Sequence, residues 1–202
     1  MRWVQHWIIS RASLKSRRSL PYQLGSVLPD WFALHPIHRT GESLDKFLDR
    51  AVRLRTMSPG LRRDWYLGTL AHYVCDYCTQ SHNEEYYRFY RHRVYEVRAQ
   101  DLIRAEYKKD PHRYDLTAGL PVPEALTDPG TAPEAFRQGL KDFLLTHIDR
   151  LHGEIRDLHS EQWYTDPRVI ELDIRYACLL LYALLCIFGE PDVLKGDEGN
   201  GE

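Results

Sequence analysis

Apolar residues recur every three or four positions along most of this chain. That spacing draws one apolar stripe along an α-helix, and it restricts the fold to helices packed on helices. Between Ser43 and Met57 the stripe is Leu44, Phe47, Leu48, Ala51 and Leu54, with Ser43 the expected N-cap and Pro59-Gly60 the stop. After Pro133 it is Phe136, Leu140, Phe143, Leu144, His147, Leu151 and Ile155, with Thr131 the expected cap. Asp166-Pro167 opens a last helix that ends near Gly189. Its strongest apolar run, Tyr176 to Phe188, has thirteen residues, against about 20 for a membrane-spanning helix, so it reads as a core helix. Met1 to Arg18 reads as a short amphipathic helix, and Pro21 to Leu28 as a compact turn-rich or helical piece leading to Pro29 and Asp30.

The expected fold class is therefore all-α. It is a single-domain multi-helix bundle over residues 1–189, followed by a polar, Gly-rich tail at 190–202 whose composition predicts disorder. A chain of 202 residues that is 43% hydrophobic can bury a core without staples. The formal net charge of -2 supplies no overall field toward nucleic acid or an anionic bilayer. No stable nucleic-acid binding is expected, and contact with a membrane surface stays open as a local matter. Cys75, Cys78, Cys178 and Cys186 fall inside apolar helical patterns and read as reduced core thiols. With no signal peptide read in Met1 to Arg18, the expected location is cytoplasmic.

Two helices mix apolar with ligand-type residues. Leu61 to Thr79 carries Trp65, Gly68, His72 and Asp76 along one stripe, and Asn83 to Lys109 carries Phe89, His92, Glu96 and Ile103. The stretch from Asp110 to Ala132 is rich in Pro and Gly and is expected to loop over the site. A histidine and an acid four residues apart stack on one helix face within reach of one ion. Chance alone would give about 1.4 such pairs here, and three occur, at His38/Glu42, His72/Asp76 and His92/Glu96. Spacing is thus weak evidence, and any one of these histidines alone is more often a satisfied core or surface residue. Clustering carries more: His82 lies ten residues beyond His72, where one helix should end and the next begin. Gly68, one turn before His72, costs about 1 kcal/mol relative to alanine inside a helix and implies a packing reason.

The run Leu67-Gly-Thr-Leu-Ala-His72-Tyr-Val-Cys-Asp76-Tyr-Cys-Thr-Gln-Ser-His82-Asn83 resembles the central motif of the bacterial zinc-dependent phospholipase C family. Three other segments agree in order: His6, the segment Gly25-Ser-Val-Leu-Pro-Asp30 followed by His38, and the later pair His92 and Glu96. The likeness covers residues 1 to about 100, and Ser81 departs from the proline often found before the histidine. The resemblance implies that Asp30, His38, His72 and Asp76 hold one zinc, that His82, His92 and Glu96 hold a second, and that Asp76 bridges to a third bound through His6. It also implies that Asp30 orients or deprotonates the attacking water.

Imidazoles and carboxylates without thiolates suit zinc at a catalytic site, with manganese and iron as alternatives. Two such metals about 4 Å apart can clamp a phosphodiester and acidify a shared water. The expected function is metal-dependent hydrolysis of a small-molecule or lipid phosphodiester with two or three zinc ions. A single-strand nuclease-like enzyme, a general phosphodiesterase, or a metal-stabilised binding module without catalysis are the alternatives. No Glu-x2-His, His-Glu-x2-His or His-Asp motif directs the chain to other helical metalloenzymes. Cys75 and Cys78 lack the second pair of a zinc ribbon. The Arg- and Tyr-rich run Tyr86 to Arg93 offers phosphate or head-group contacts, or simply packing.

Overall fold

The structure, a computed structural model, describes residues 6–10, 19–31, 40–79, 89–111, 113 and 120–189, with backbone alone at residues 30, 31 and 40–43. Among the described residues there are eight helices and no strand: α1 (6–10), α2 (Leu20–Trp31), α3 (Thr40–Arg55), α4 (Leu61–Cys78), α5 (Phe89–Lys109), α6 (Glu124–Thr127), α7 (Pro133–Asp157) and α8 (Pro167–Ile187). The all-α class follows the periodicity.

The most apolar helix is the centre of the bundle. Fourteen of the 21 residues of α8 are buried, and α4, α5, α6 and α7 pack around it. No described helix is long and apolar enough to cross a membrane. The stripe of α3 turns inward, with Phe47, Leu48, Ala51 and Leu54 fully buried against α4 and α7. On α7 the residues Phe136, Leu140, Phe143, Leu144, Leu151 and Ile155 do the same. His147 sits on that face against the Phe143 ring, with centroids 4.7 Å apart.

The ends of the helices separate what local signals decide from what they do not. Asp166 caps α8 as expected, its side chain accepting from the Arg168 amide at 2.9 Å. On α7 the N-cap is Ala132, with no side-chain cap, because Pro133 already opens the helix. Thr131 therefore lies one residue too early, and its carbonyl instead accepts from Arg55. Ser43 falls within the first turn of α3, which begins at Thr40. The helix α2 runs through Pro29 to Trp31, longer than the piece expected up to Leu28.

Of the stretch between Asp110 and Ala132, residues 112 and 114–119 lie outside the described part, and the remainder is not all loop. It forms α6, with Leu126 buried against α7 and α8. Thr127 and the residues from Pro129 to Ala132 border a cleft of about 520 Å³ with Arg55, Arg63 and Phe188. Arg63 stands nine residues before His72 on α4, about 13 Å along the axis. The tail at 190–202 lies outside the described residues.

One crossing positions the site. A Cβ on Gly68 would lie 2.1 Å from the Tyr22 carbonyl oxygen, and one on Gly25 would lie 2.4 Å from that of Trp65. Only glycine at both positions lets α2 and α4 come this close. This is the packing reason that Gly68 called for. The closest approach is between Gly25 and Gly68, and Ser26 meets His72 one turn further along α4, so the two helices run parallel.

Candidate metal centre

The inner face of α4 passes from apolar to polar at its C-terminal half. Leu67, Leu70, Ala71 and Val74 are buried, and so on the same helix are His72 at 0% and Asp76 at 4% exposure. Burying an imidazole and a carboxylate is costly unless something satisfies them. Their spacing of four stacks them, with His72 Nε2 3.2 Å from Asp76 Oδ2.

The helix α1 brings a third donor. His6 is buried, its Nε2 is 3.4 Å from Asp76 Oδ1, and its ring stacks on that of His72 at 4.2 Å. Four residues on, Ser10 faces α2, where its hydroxyl oxygen lies 3.1 Å from that of Ser26. The same Ser26 hydroxyl reaches the Gln23 carbonyl at 2.8 Å. This buried serine pair, absent from the reading of the sequence, holds α1 in the position that aims His6. Its only signal in the sequence is that Ser10 shares a helix face with His6 and that Ser26 follows Gly25.

The Ser26 carbonyl lies 3.1 Å from His72 Nδ1. A carbonyl can only accept, so Nδ1 carries the hydrogen. In the neutral ring the lone pair of Nε2 then points at the Asp76 carboxylate. A cation between them turns that opposition into attraction, and a carbonyl behind the distal nitrogen is the usual way a ligating histidine is oriented. One ligand atom from each of His6, His72 and Asp76 lies within 4.8 Å of the others. Two ligands of one zinc at about 2.0–2.1 Å stand about 3.3 Å apart, close to the 3.2 Å between His72 and Asp76 Oδ2 and the 3.4 Å between His6 and Asp76 Oδ1, so each pair can span an ion. Two imidazoles and a carboxylate are also the donor chemistry that zinc takes, so the residues fit the ion.

The other expected ligands fall into three situations. His92 and Glu96 face each other on α5, Nε2 to Oε1 at 3.8 Å and mostly shielded, but they are not part of the His6 group. Asp30 is on α2, one turn beyond Ser26. Only its backbone is described. His38 and His82 lie outside the described residues.

No thiol belongs to the group of His6, His72 and Asp76. Cys75, Cys78 and Cys178 are buried and Cys186 is partly buried, all of them free. Burial, with the nearby carboxylates of Asp173 and Asp76, pushes the Cys78 thiol well up. Burial pushes the Cys178 thiol up to about 12. Of the Arg- and Tyr-rich run, Arg91 lies over the Tyr164 ring at 5.5 Å and Tyr90 is exposed, while residues 86–88 are outside the described part.

No curated protein and no solved structure matches the chain. The family model described as zinc dependent phospholipase C matches residues 6–160, more than half of the 202, in a span that begins at His6 and includes His72 and Asp76. The extent of that match, over a bundle whose buried donors suit zinc, establishes that the chain belongs to the zinc-dependent phospholipase C family.

Proposed function

We propose that this protein is a metal-dependent phosphodiester hydrolase whose substrate is a lipid or a small-molecule diester. The observation that carries the reading is the convergence of His6, His72 and Asp76, from two helices, into one buried donor group. Zinc, when bound there, supplies a Lewis acid for the phosphoryl oxygens and a means of acidifying water. The rest of the chemistry belongs to the side chains. Asp76 presents Oδ1 to His6 and Oδ2 to His72, as a carboxylate shared by two ions would, which supports a bridging role. Asp30 and His38 would complete the ion held by His72 and Asp76, and His82 would join His92 and Glu96 at another. Asp30, one turn beyond Ser26 on the parallel helix, is our choice for the residue that orients and deprotonates the attacking water.

The test is hydrolysis of a chromogenic phosphodiester by zinc-loaded protein against a chelated control. Release well above background only with metal is expected. Equal release in both would refute catalysis and leave the ions a structural role. A reducing, cytoplasmic location is part of the same proposal, supported by four free cysteines. Recovery of the protein from the medium rather than from the cells would overturn that part.

A further inference from the structure

The helix that carries His92 and Glu96 is held to the bundle by a narrow stripe. Of its 21 residues α5 buries Tyr95, Ala99 and Ile103, each one turn from the next. Ala99 and Ile103 make smooth apolar contacts, which resist separation more than rotation. Tyr95 is the buried residue at the end where His92 and Glu96 stand, and it is the one that can make a directional contact. Its hydroxyl donates to Asp173 Oδ2 at 2.5 Å, with both side chains fully buried. Trp163 closes one side of the ring, with centroids 6.0 Å apart.

Asp173 is out of place by packing alone. It projects from α8 between Ile170, Ile174 and Ala177, where an apolar residue would cost far less to bury. It also lies beyond residue 160, where the family match stops. A buried carboxylate bonded to a phenol fixes orientation as well as distance. On a helix Tyr95 sits about 60° around the axis from His92 and about 100° from Glu96. Holding its hydroxyl therefore sets the azimuth of both. With side-chain tips about 6 Å from the axis, a rotation of about 20° would move them about 2 Å, a whole metal–ligand bond length.

We propose that Asp173, acting through Tyr95, is a positioning residue that fixes the rotation of α5 so that His92 and Glu96 present their ligand atoms to a common cation. The inference rests on the reading of His92 and Glu96 as ligands. The experiment is zinc titration of the full chain against a chromophoric chelator, for wild type, His72→Ala, His92→Ala, Tyr95→Phe and Asp173→Asn. Cobalt spectra of the same set serve as a second readout of ligand geometry. His92→Ala should abolish one class of ion, distinct from the class lost in His72→Ala. Tyr95→Phe should weaken the His92 class about 10- to 100-fold, the usual reach of an outer partner, alter its cobalt spectrum, and leave the His72 class at wild-type affinity. Asp173→Asn, which keeps an acceptor in the same volume, reads the contact from the other side should Tyr95→Phe not fold. Wild-type affinity for both classes, or equal weakening of both, would overturn the positioning role. If His92→Ala binds zinc as wild type does, the ligand assignment itself fails, a different result from the first.

Discussion

Gly68→Ala sets two effects of opposite sign against each other. Inside an ordinary helix the change would stabilise by up to about 1 kcal/mol, since glycine gives up more backbone freedom on folding. Here the new Cβ would stand 2.1 Å from the Tyr22 carbonyl oxygen and 3.1 Å from the Gly25 Cα. Bringing that oxygen to an ordinary contact requires α2 to move away by about 1 Å. The same displacement would lengthen the His72 Nδ1 to Ser26 carbonyl contact from 3.1 Å to about 4 Å, beyond hydrogen-bonding range. Overpacking costs about 1–3 kcal/mol, and the lost hydrogen bond about 1 more. Against the helix gain, the net is a loss of about 2 kcal/mol, or a fall in Tm of about 4–8 °C for a chain of this length. Thermal unfolding followed by circular dichroism measures the first effect, and zinc affinity the second, because a displaced Ser26 no longer orients His72. A variant as stable as wild type or more so, with unchanged zinc binding, would show that the close crossing does not hold the site.

Asp76→Asn should lower the number of bound zinc ions by more than one, since one carboxylate faces both His6 and His72; elemental analysis counts them, and full occupancy would refute the shared role. For His147, burial first and then the nearby Arg150 hold the imidazole pKa below its ordinary value, so the folded state favours the neutral ring. That contribution is complete above the unfolded pKa of about 6.5 and is lost as pH falls through the lower folded value. His147→Ala should therefore destabilise more at pH 7 than at pH 5 in chemical denaturation, without altering zinc binding; equal losses at both would sink the assignment. Asp166→Ala removes both the α8 cap and the Arg168 ion pair and should cost about 1 kcal/mol. The Arg168 guanidinium holds the Asp166 carboxyl well below the usual range, so this loss should be full above pH about 4 and shrink as pH falls further. A pH-independent loss down to the acid transition would contradict that.

The bundle was readable because each long helix carries its own record of burial. Phe47, Leu48, Ala51 and Leu54, or Phe136 through Ile155, must face inward whatever their partners are. Part of the site was readable for a related reason: His72 and Asp76 are joined by one turn of one helix, so local geometry brings them together. His6 needed the order of motifs, since nothing local ties residue 6 to residue 72. The serine pair of Ser10 and Ser26 and the Tyr95–Asp173 contact could not be read at all. Each joins residues from different helices whose relative placement depends on the whole fold. Cap positions failed for a smaller reason, because two adjacent candidates compete at a helix start and the proline at 133 decides for Ala132 over Thr131.

Two glycines do more for the donor group than any single ligand. A parallel pair of helices has no hairpin to set its register, and α2 and α4 are separated in the chain by all of α3. Their alignment must come from the contact itself. Gly25 and Gly68 supply it, since each opens a gap into which the other helix's backbone fits, at Trp65 and Tyr22 respectively. A slip by one residue would set the Cβ of Leu24, Ser26, Leu67 or Thr69 where a glycine stands, against the carbonyl of Trp65 or Tyr22. The register that avoids the clash sets Ser26 behind His72. It follows that Gly25→Ala and Gly68→Ala should not add. Once one Cβ has forced the helices apart, the second finds room, so the double variant should lose less than the sum of the two singles in denaturation. Strict additivity would mean that the two glycines act at separate places, and the account of how α2 reaches the donor group would have to be abandoned.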